Sequence, residues 1–231
     1  MLKQGETVLK GLNRRYFEQK LVSNIRKRLK PMGEFRVYCV QSTVYVEPES
    51  ETADMDAAFD ALSKTFGVVA LSRAAACEKD EDAIARLAIE YLREDMLAAE
   101  SFKVETKRSD KSFHMTSIQL SQYVGGRLAE AYPETRVDVR HPERTVHLEV
   151  RDYAAYVHAA PAPGAGGLPI GSNGRAVTLL SGGIDSPVST WMITRRGVRC
   201  IPVHFFSFPY TSEAAKEKVV ELARLLTPWC G

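Results

Sequence analysis

The residues that point most directly to chemistry form a short run with the sequence SGGIDSP, Ser181–Pro187, here called the SGGIDSP loop. It follows an apolar, strand-like stretch and precedes a helix-like stretch. A loop in this position presents backbone amides and the positive end of a helix dipole to an anion. Glycine permits a tight turn and the close approach of a ligand, because it has no Cβ. The pattern therefore predicts a phosphate-binding loop, and a plain glycine turn is the alternative.

The SGGIDSP loop differs from two common phosphate-binding sequences. No lysine follows its glycines as in G-x-x-x-x-G-K-[ST], and it does not read G-x-G-x-x-G. We therefore expect phosphate to be held by amides and hydroxyls, with Asp185 available for a metal or for the reaction. The pattern SGGxDS resembles the PP-loop of the ATP pyrophosphatases. That resemblance implies cleavage of ATP between its α- and β-phosphates, with adenylation of a substrate.

The composition is that of an ordinary globular protein. The 231 residues are 45% hydrophobic and 26% charged, with a net charge of +2. The four cysteines show no zinc-site spacing. The amino terminus lacks an apolar signal region, and no stretch approaches the roughly 18 apolar residues of a membrane span. We expect a cytoplasmic protein that does not enter a membrane.

The predicted fold class is α/β, with an α+β amino-terminal part. Residues 1–76 are predicted to form a ferredoxin-like domain of order β-α-β-β-α-β. Its predicted elements are a strand at 6–9, a helix after Asn13, strands at 35–40 and 43–46, a helix at 54–65 and a strand at 67–71.

Two further segments follow. Residues 77–160 read as another small α/β unit, and 161–175 as a linker because eight of its fifteen residues are Pro or Gly. In 176–231 we predict strands at 176–180 and 199–205 and helices at 188–196 and 212–226. This is the start of a doubly wound parallel sheet. Because about 55 residues are few for such a domain, we expect it to be truncated.

Basic residues cluster in the first two segments. Residues 10–30, which include Arg14 and Arg15, hold eight Lys/Arg and one Glu. Such a helix suits a phosphate backbone or an anionic membrane, and a solvated helix face is the alternative. Residues 102–113 group Lys107, Arg108 and Lys111 with Phe113, whose ring could stack on a base. A surface loop is the alternative there, but two such patches together favour RNA binding.

Several motifs resemble one known family. Residues 77–160 resemble a THUMP domain, an RNA-binding module. The resemblance is carried by Lys103–Phe113, which is similar to the strand and loop of that domain. The order ferredoxin-like domain, THUMP domain, PP-loop domain resembles the ThiI-type tRNA 4-thiouridine synthetases. Further matches are Leu9–Arg15 (LKGLNRR), Pro163–Pro169 (PGAGGLP), Leu179–Pro187 (LLSGGIDSP) and Val203–Phe205 (VHF).

This resemblance implies an ATP- and Mg²⁺-dependent tRNA sulfurtransferase. Such enzymes adenylate O4 of a uridine near position eight of tRNA, and a persulfide sulfur then displaces AMP. The resemblance implies a cysteine desulfurase as persulfide donor and a role in thiamine thiazole synthesis. It leaves open a sulfur-carrier protein and a homodimer. The alternatives are a truncated tRNA-binding module that is too short for catalytic activity and another PP-loop tRNA-modifying enzyme.

The resemblance also assigns residues. For the nucleotide it implies Leu179, Leu180, Ser181, Gly182, Gly183, Asp185, Ser186, His204 and Phe205. Asp185 is the catalytic candidate and the candidate Mg²⁺ ligand. For His204, the alternative to nucleotide contact is a purely structural role. For RNA the candidates are Arg14, Arg15, Lys107, Arg108 and Lys111.

Overall fold

The computed structural model describes residues 1–207 and 209–231, and it divides the chain into two compact units. The first unit combines Met1–Leu71 with Ala162–Gly231, and the second is Ser72–Pro161. Within the described residues, every helix is too short or too polar to span a lipid bilayer.

The elements alternate along the whole chain. The first unit begins with β1 Leu2–Gln4, α1 Arg14–Leu29, β2 Phe35–Val40, β3 Thr43–Pro48, α2 Met55–Ser63 and β4 Val68–Leu71. The second unit contains β5 Ala75–Cys77, α3 Glu81–Tyr91, α4 Arg93–Leu97, β6 Ser101–Arg108, α5 Ser117–Ala131, β7 Arg136–Val137, β8 Arg144–Val150 and β9 Ala155–His158. The first unit then resumes with β10 Ala162–Pro163, β11 Arg175–Leu179, α6 Asp185–Arg195, β12 Arg199–Val203 and α7 Glu213–Cys230. The α/β class predicted from the sequence is confirmed.

The five-stranded sheet of the first unit has the strand order β10-β4-β1-β3-β2. Its neighbouring strands are antiparallel. The inner order β4-β1-β3-β2 and the chain order β-α-β-β-α-β are those of a ferredoxin-like fold, so this prediction is confirmed. Helix α1 covers the sheet because its apolar residues recur every fourth position. The buried residues of that stripe are Phe17, Leu21, Ile25 and Leu29.

The strand predicted at residues 6–9 is wrong. Glu6–Leu9 forms a 3-10 turn, and the strand is β1. Leu2 pairs with Val44 on β3 and with Leu71 on β4, so β1 lies in the middle of the sheet. Leu2 is buried, whereas Leu9 is 86% exposed. The position of β1 is therefore decided by partners on both sides that lie far away in the sequence.

The Pro/Gly segment, residues 161–175, is fixed by hydrogen bonds although its composition predicts little regular structure. Its first residues form β10 beside β4. The amide of Gly166 then donates to the backbone oxygen of Val68 at 2.7 Å. Farther along, the amide of Leu168 donates to the backbone oxygen of Arg195, the last residue of α6, at 2.9 Å. The segment thus joins the ferredoxin-like sheet to α6 within one unit.

The β11-α6-β12-α7 part of the first unit opens as a parallel α/β arrangement. β11 and β12 pair in parallel, with Leu179 opposite Val203. Helix α6 begins at Asp185 rather than at Val188, and α7 extends to Cys230 rather than ending at 226. The earlier start of α6 makes Asp185 its first residue.

Three aromatic rings connect α6 and α7 to the ferredoxin-like part of the same unit. Phe66 is 1% exposed, and its ring centroid lies 5.5 Å from that of Trp191 and 6.4 Å from that of Trp229. The two tryptophan rings meet edge to face at 6.1 Å. Such aromatic pairs bury large areas and fix the angle between the elements that carry them.

The second unit has its own sheet, of order β5-β9-β8-β6-β7, in which β6 runs parallel to β7 and β8. Helix α3 is capped by Asp80, and Thr116 and Gln119 form a capping box at the start of α5. Phe102 is fully buried in a core separate from that of the first unit. The sequence did not predict β5, because three residues carry little periodicity and their partner β9 lies far along the chain.

We expect Gly167→Ala to destabilise the first unit. Gly167 has φ +72°, and an added Cβ would lie 2.3 Å from the backbone oxygen of Arg195, which accepts the hydrogen bond from Leu168. The left-handed conformation alone costs a non-glycine residue about 1–2 kcal/mol, and the clash adds to that cost. Gly174→Ala is the matched control, because its φ is +79° and its added Cβ meets nothing within 4 Å. Urea unfolding should show a clearly larger loss of stability for Gly167→Ala, and equal losses would contradict the close packing.

Candidate functional site

The SGGIDSP loop lies at the carboxyl end of the paired strands β11 and β12. Leu180, which follows β11, donates its amide to the backbone oxygen of Val203 at 2.9 Å. This bond extends the pairing by one residue and places Leu180 beside His204. In open parallel sheets, ligands bind outside this edge. The structure therefore holds the loop on the ends of two hydrogen-bonded strands.

The two serines of the loop connect its beginning to the first turn of α6. Ser186 Oγ accepts a hydrogen bond from the amide of Ser181 at 2.9 Å and lies 3.1 Å from Ser181 Oγ. The amide of Gly183 donates to Ser181 Oγ at 3.4 Å. These contacts hold the curved shape of the loop before any ligand binds.

The amino terminus of α6 is not capped by a side chain. Helices α2, α3, α5 and α7 begin with a side-chain cap, from Asp54, Asp80, Thr116 and Ser212, whereas α1 and α4 do not. At α6 the N-cap residue is Ile184, whose side chain cannot accept a hydrogen bond and is 80% exposed. The first amides of a helix have no partner within the helix. An anion at this end would satisfy them and interact favourably with the helix dipole.

The glycines of the loop matter because they lack side chains, and not because of their backbone conformation. Neither Gly182 nor Gly183 has a positive φ. An added Cβ on Gly182 would lie 3.5 Å from Cδ of Lys218, and one on Gly183 would lie 3.6 Å from Ser181 Oγ, both ordinary contacts. The turn of this loop therefore needs no backbone conformation that is reserved for glycine. The missing side chains leave its amides open to a ligand.

A cavity of about 330 Å³ lies beside the loop, between the end of β12 and α7. Leu180, His204, Phe206 and Val219 are among its lining residues. His204 Nδ1 lies 3.0 Å from the backbone oxygen of Leu180. Because a carbonyl oxygen only accepts, Nδ1 carries the hydrogen. Nε2 is buried without a hydrogen-bond partner in the described part of the chain.

The other two apolar nucleotide candidates lie outside this cavity. Leu179 is 64% exposed and Phe205 is 73% exposed. The structure therefore brings Leu180 and His204 together in one cavity, and it leaves Leu179 and Phe205 on an exposed apolar surface at the same sheet edge.

Lys218 is a residue of this site that the sequence did not single out. It lies on α7, and its side chain passes the loop at Gly182. No sequence motif around Lys218 points to this role, because α7 is distant from the loop in the sequence and comes near it only in the folded chain. The sequence predicted a helix at 212–226, but not which of its residues faces the loop.

The basic candidates of the first unit differ in their contacts with other residues and in their exposure to solvent. Arg14 Nε lies 2.8 Å from Glu18 Oε1, and its guanidinium also donates to Ser42 Oγ. Arg15 is exposed and lines an open groove of about 580 Å³ between α1 and β2, together with Arg26 and other residues. Arg15 is therefore better placed than Arg14 to meet a phosphate.

The basic candidates of the second unit differ in the same way. Arg108 donates to the backbone oxygens of Phe113 and Met115, each at 2.7 Å, and so holds the loop after β6. Phe113, predicted to stack on a base, is instead packed in the core with 7% exposure. Lys107 and Lys111 are exposed. Lys107, on β6, and Lys111, in the loop after it, are thus exposed cations of this segment.

The same loop is held by an ion pair of the second unit. Lys79 Nζ lies 2.6 Å from Asp110 Oδ2, and the hydroxyl and amide of Ser112 donate to Asp110 Oδ1 at 2.6 and 2.8 Å. The hydrogen bond from Lys79, followed by those from Ser112, holds the pKa of Asp110 well below its ordinary value. The carboxylate therefore stays ionised and orders the segment that carries Lys111.

Family models match nearly the whole chain in three consecutive segments. The ThiI ferredoxin-like domain matches residues 1–72, the THUMP domain matches 78–159, and the model described as thiamine biosynthesis protein (ThiI) matches 171–231. A probable tRNA sulfurtransferase from Alkaliphilus oremlandii is 44% identical over 235 residues, which cover 100% of this chain and 59% of that relative. The chain thus spans about 59% of the length of the curated relative.

Two solved structures are also similar. A crystal structure of a 4-thiouridine synthetase–RNA complex with bound ATP is 32% identical, with a TM-score of 0.86 over 99% of this chain and 58% of that chain. A crystal structure of a protein from Pyrococcus horikoshii is 25% identical, with the same TM-score of 0.86 over 99% of this chain and 75% of that chain.

We expect Asp110→Asn to lower the stability of the second unit at neutral pH. The pKa of Asp110 is depressed in the folded chain, so its contribution is present above the unfolded value of about 3.9 and is lost as the pH falls through the folded value. The difference between the variant and the parent chain should therefore shrink in acid. Urea unfolding at pH 7 and near pH 3 measures this, with Glu130→Gln on α5 as the control. The same difference at both pH values would rule out the Lys79–Asp110 pair as its origin.

Proposed function

We propose, because this chain belongs to the ThiI family, that the protein is an ATP-dependent tRNA sulfurtransferase that converts a uridine near position eight of tRNA to 4-thiouridine. The observation that carries the proposal is the SGGIDSP loop at the uncapped start of α6, beside the cavity of Leu180 and His204. It is supported by the relatives named tRNA sulfurtransferase and by the similar 4-thiouridine synthetase, which was crystallised with RNA and ATP.

The proposed chemistry explains why a phosphate loop belongs to a sulfur-transfer enzyme. Uridine O4 is a poor leaving group. Its attack on the α-phosphorus of ATP breaks the bond to pyrophosphate and turns O4 into part of an adenylate. The terminal sulfur of a persulfide then attacks C4, the C4–O4 bond breaks, and AMP leaves with O4. A second thiol takes the place of the transferred sulfur on the donor, which leaves a disulfide.

The residues at the loop fit the phosphates of ATP. The α6 amides and the Ser181 and Ser186 hydroxyls supply hydrogen bonds to an anion, and the glycines leave the loop surface open. The cavity provides an apolar wall, with Val219 among its lining residues, which suits the face of a base or ribose.

The residues also fit a Mg²⁺ ion that is held mainly by phosphates. In the described part of the chain, no three His, Cys, Asp or Glu residues form a ready-made metal site. Mg²⁺ is often bound through one or two carboxylates and the phosphates of a substrate. Asp185, exposed at the start of α6, is the carboxylate in that position. The ion would stabilise the charge that develops on pyrophosphate.

For tRNA we propose contacts in both units. Lys107 and Lys111 in the second unit and Arg15 in the first are exposed cations that can meet phosphates. Arg108 and Arg14 contribute mainly by holding the local backbone and neighbouring side chains in place. The match of residues 78–159 to the THUMP domain supports this role for the second unit.

The remaining parts of the proposal rest on the family alone. They are a cysteine desulfurase as persulfide donor, a cytoplasmic location, a role in thiamine thiazole synthesis, a sulfur-carrier protein and a homodimer. The family model named for thiamine biosynthesis is the support for the thiazole role.

We expect Asp185→Ala to lower tRNA-dependent pyrophosphate release from ATP by about a hundredfold or more, the range seen when a group that stabilises developing charge is removed. The assay uses purified protein, radiolabelled ATP, Mg²⁺ and tRNA. Met192→Ala, on the exposed surface of the same helix, is the control and should retain activity. A protein that binds tRNA but releases no pyrophosphate would instead be an RNA-binding module.

We expect tRNA affinity to fall steeply with salt. Lys107→Gln and Lys111→Gln should each weaken tRNA binding. Each should also reduce the slope of the logarithm of the association constant against the logarithm of the salt concentration, by about 1 for each phosphate that is no longer neutralised. Fluorescence anisotropy with labelled tRNA at several salt concentrations measures this. Arg93→Gln, an exposed position on α4, is the control in the same unit. An unchanged slope in both lysine variants would exclude the end of β6 and the loop after it from the RNA interface.

A further inference from the structure

The side chain of Lys218 lies against the SGGIDSP loop, although the two are far apart in sequence. Its Cδ is 3.5 Å from the point where a Cβ on Gly182 would stand. The ammonium group is two bonds beyond Cδ and lies more than 4 Å from that point. Rotation about the last bonds of the side chain would bring the ammonium group to an anion held by the loop.

The direction of Lys218 is set by the packing of α7. The next residue, Val219, is buried and lines the same cavity as Leu180. Burial of Val219 fixes the rotation of α7 about its axis. A rotation of α7 that brought a neighbouring residue to the loop in place of Lys218 would therefore expose Val219.

Among the described residues, Lys218 also differs from the neighbouring cations of α7 in the partners of its charged group. Lys216 lies 3.2 Å from Glu213 and 5.1 Å from the ring centroid of Phe206. Arg224 lies 4.0 Å from Glu221. Lys218 is exposed, and no ion pair or hydrogen bond of its ammonium group is found among residues 1–207 and 209–231.

We propose that Lys218 binds the β- and γ-phosphates of ATP and neutralises the charge of the departing pyrophosphate. It would supply from α7 the lysine that the SGGIDSP loop lacks in its own sequence. An ammonium group is a strong donor to phosphate oxygens, and charge-assisted hydrogen bonds are about twice as strong as neutral ones. The proposal rests on the proposed function, because it assumes that the loop holds a nucleoside triphosphate.

Titration calorimetry with three probes tests this role: ATP, inorganic pyrophosphate and AMP, each with Mg²⁺. Lys218→Gln should weaken binding of ATP and pyrophosphate by about tenfold or more and change AMP binding little. Lys218→Arg should restore most of the affinity, because the charge and the donors return. Arg224→Gln removes the same charge from another position of α7 and is the matched control.

The outcomes separate the proposal from its premise. If the parent protein binds ATP and pyrophosphate but Lys218→Gln binds them as well as Arg224→Gln does, Lys218 is a solvated surface residue and the proposal is wrong. Equal weakening of ATP and AMP would show a role in the shape of the site and would also overturn it. A parent protein that binds neither ATP nor pyrophosphate would overturn the proposed function itself, and this inference with it.

Discussion

The Pro/Gly segment forms hydrogen bonds to two neighbours at once, and the position of the candidate site follows from them. On one side, its Gly166 exchanges hydrogen bonds with the strand end at Gly67 and Val68, at 2.8 and 2.7 Å. On the other, Leu168 satisfies the backbone oxygen of Arg195 at the end of α6. The last carbonyls of a helix lack partners within the helix. The segment supplies one, and it thereby fixes α6 against the ferredoxin-like sheet.

The two ends of α6 consequently differ in their contacts with the rest of the unit. Its carboxyl end is occupied by the Pro/Gly segment, and its middle is held by the ring of Trp191 against Phe66. Its amino end, at Ile184 and Asp185, has no side-chain cap. A rigid helix with free amides at one end is already arranged for an anion, because little conformational freedom is lost when the ligand binds.

The basic residues fall into two physical groups. Arg108 and Arg14 use their hydrogen bonds inside the protein, on backbone oxygens or on Glu18 and Ser42. Lys107, Lys111 and Lys218 are exposed. A guanidinium has five donors in a fixed plane and suits the first role, whereas a flexible ammonium suits contact with mobile phosphates. Charge patterns in the sequence alone do not separate these groups, because both look equally basic.

The sequence by itself determined the elements whose signals are local. Apolar residues at every fourth position placed α1, and the strand–glycine–helix pattern placed the SGGIDSP loop. Only the tertiary structure decided what depends on distant partners. The strand β1 at Leu2 needs β3 and β4 on either side, and β10 exists because β4 offers it an edge. Phe113 became a core residue through contacts from other elements, and Lys218 reached the loop through the packing of α7. Local periodicity reports which face of an element is apolar, but the free energy that pairs one face or edge with another comes from residues far along the chain.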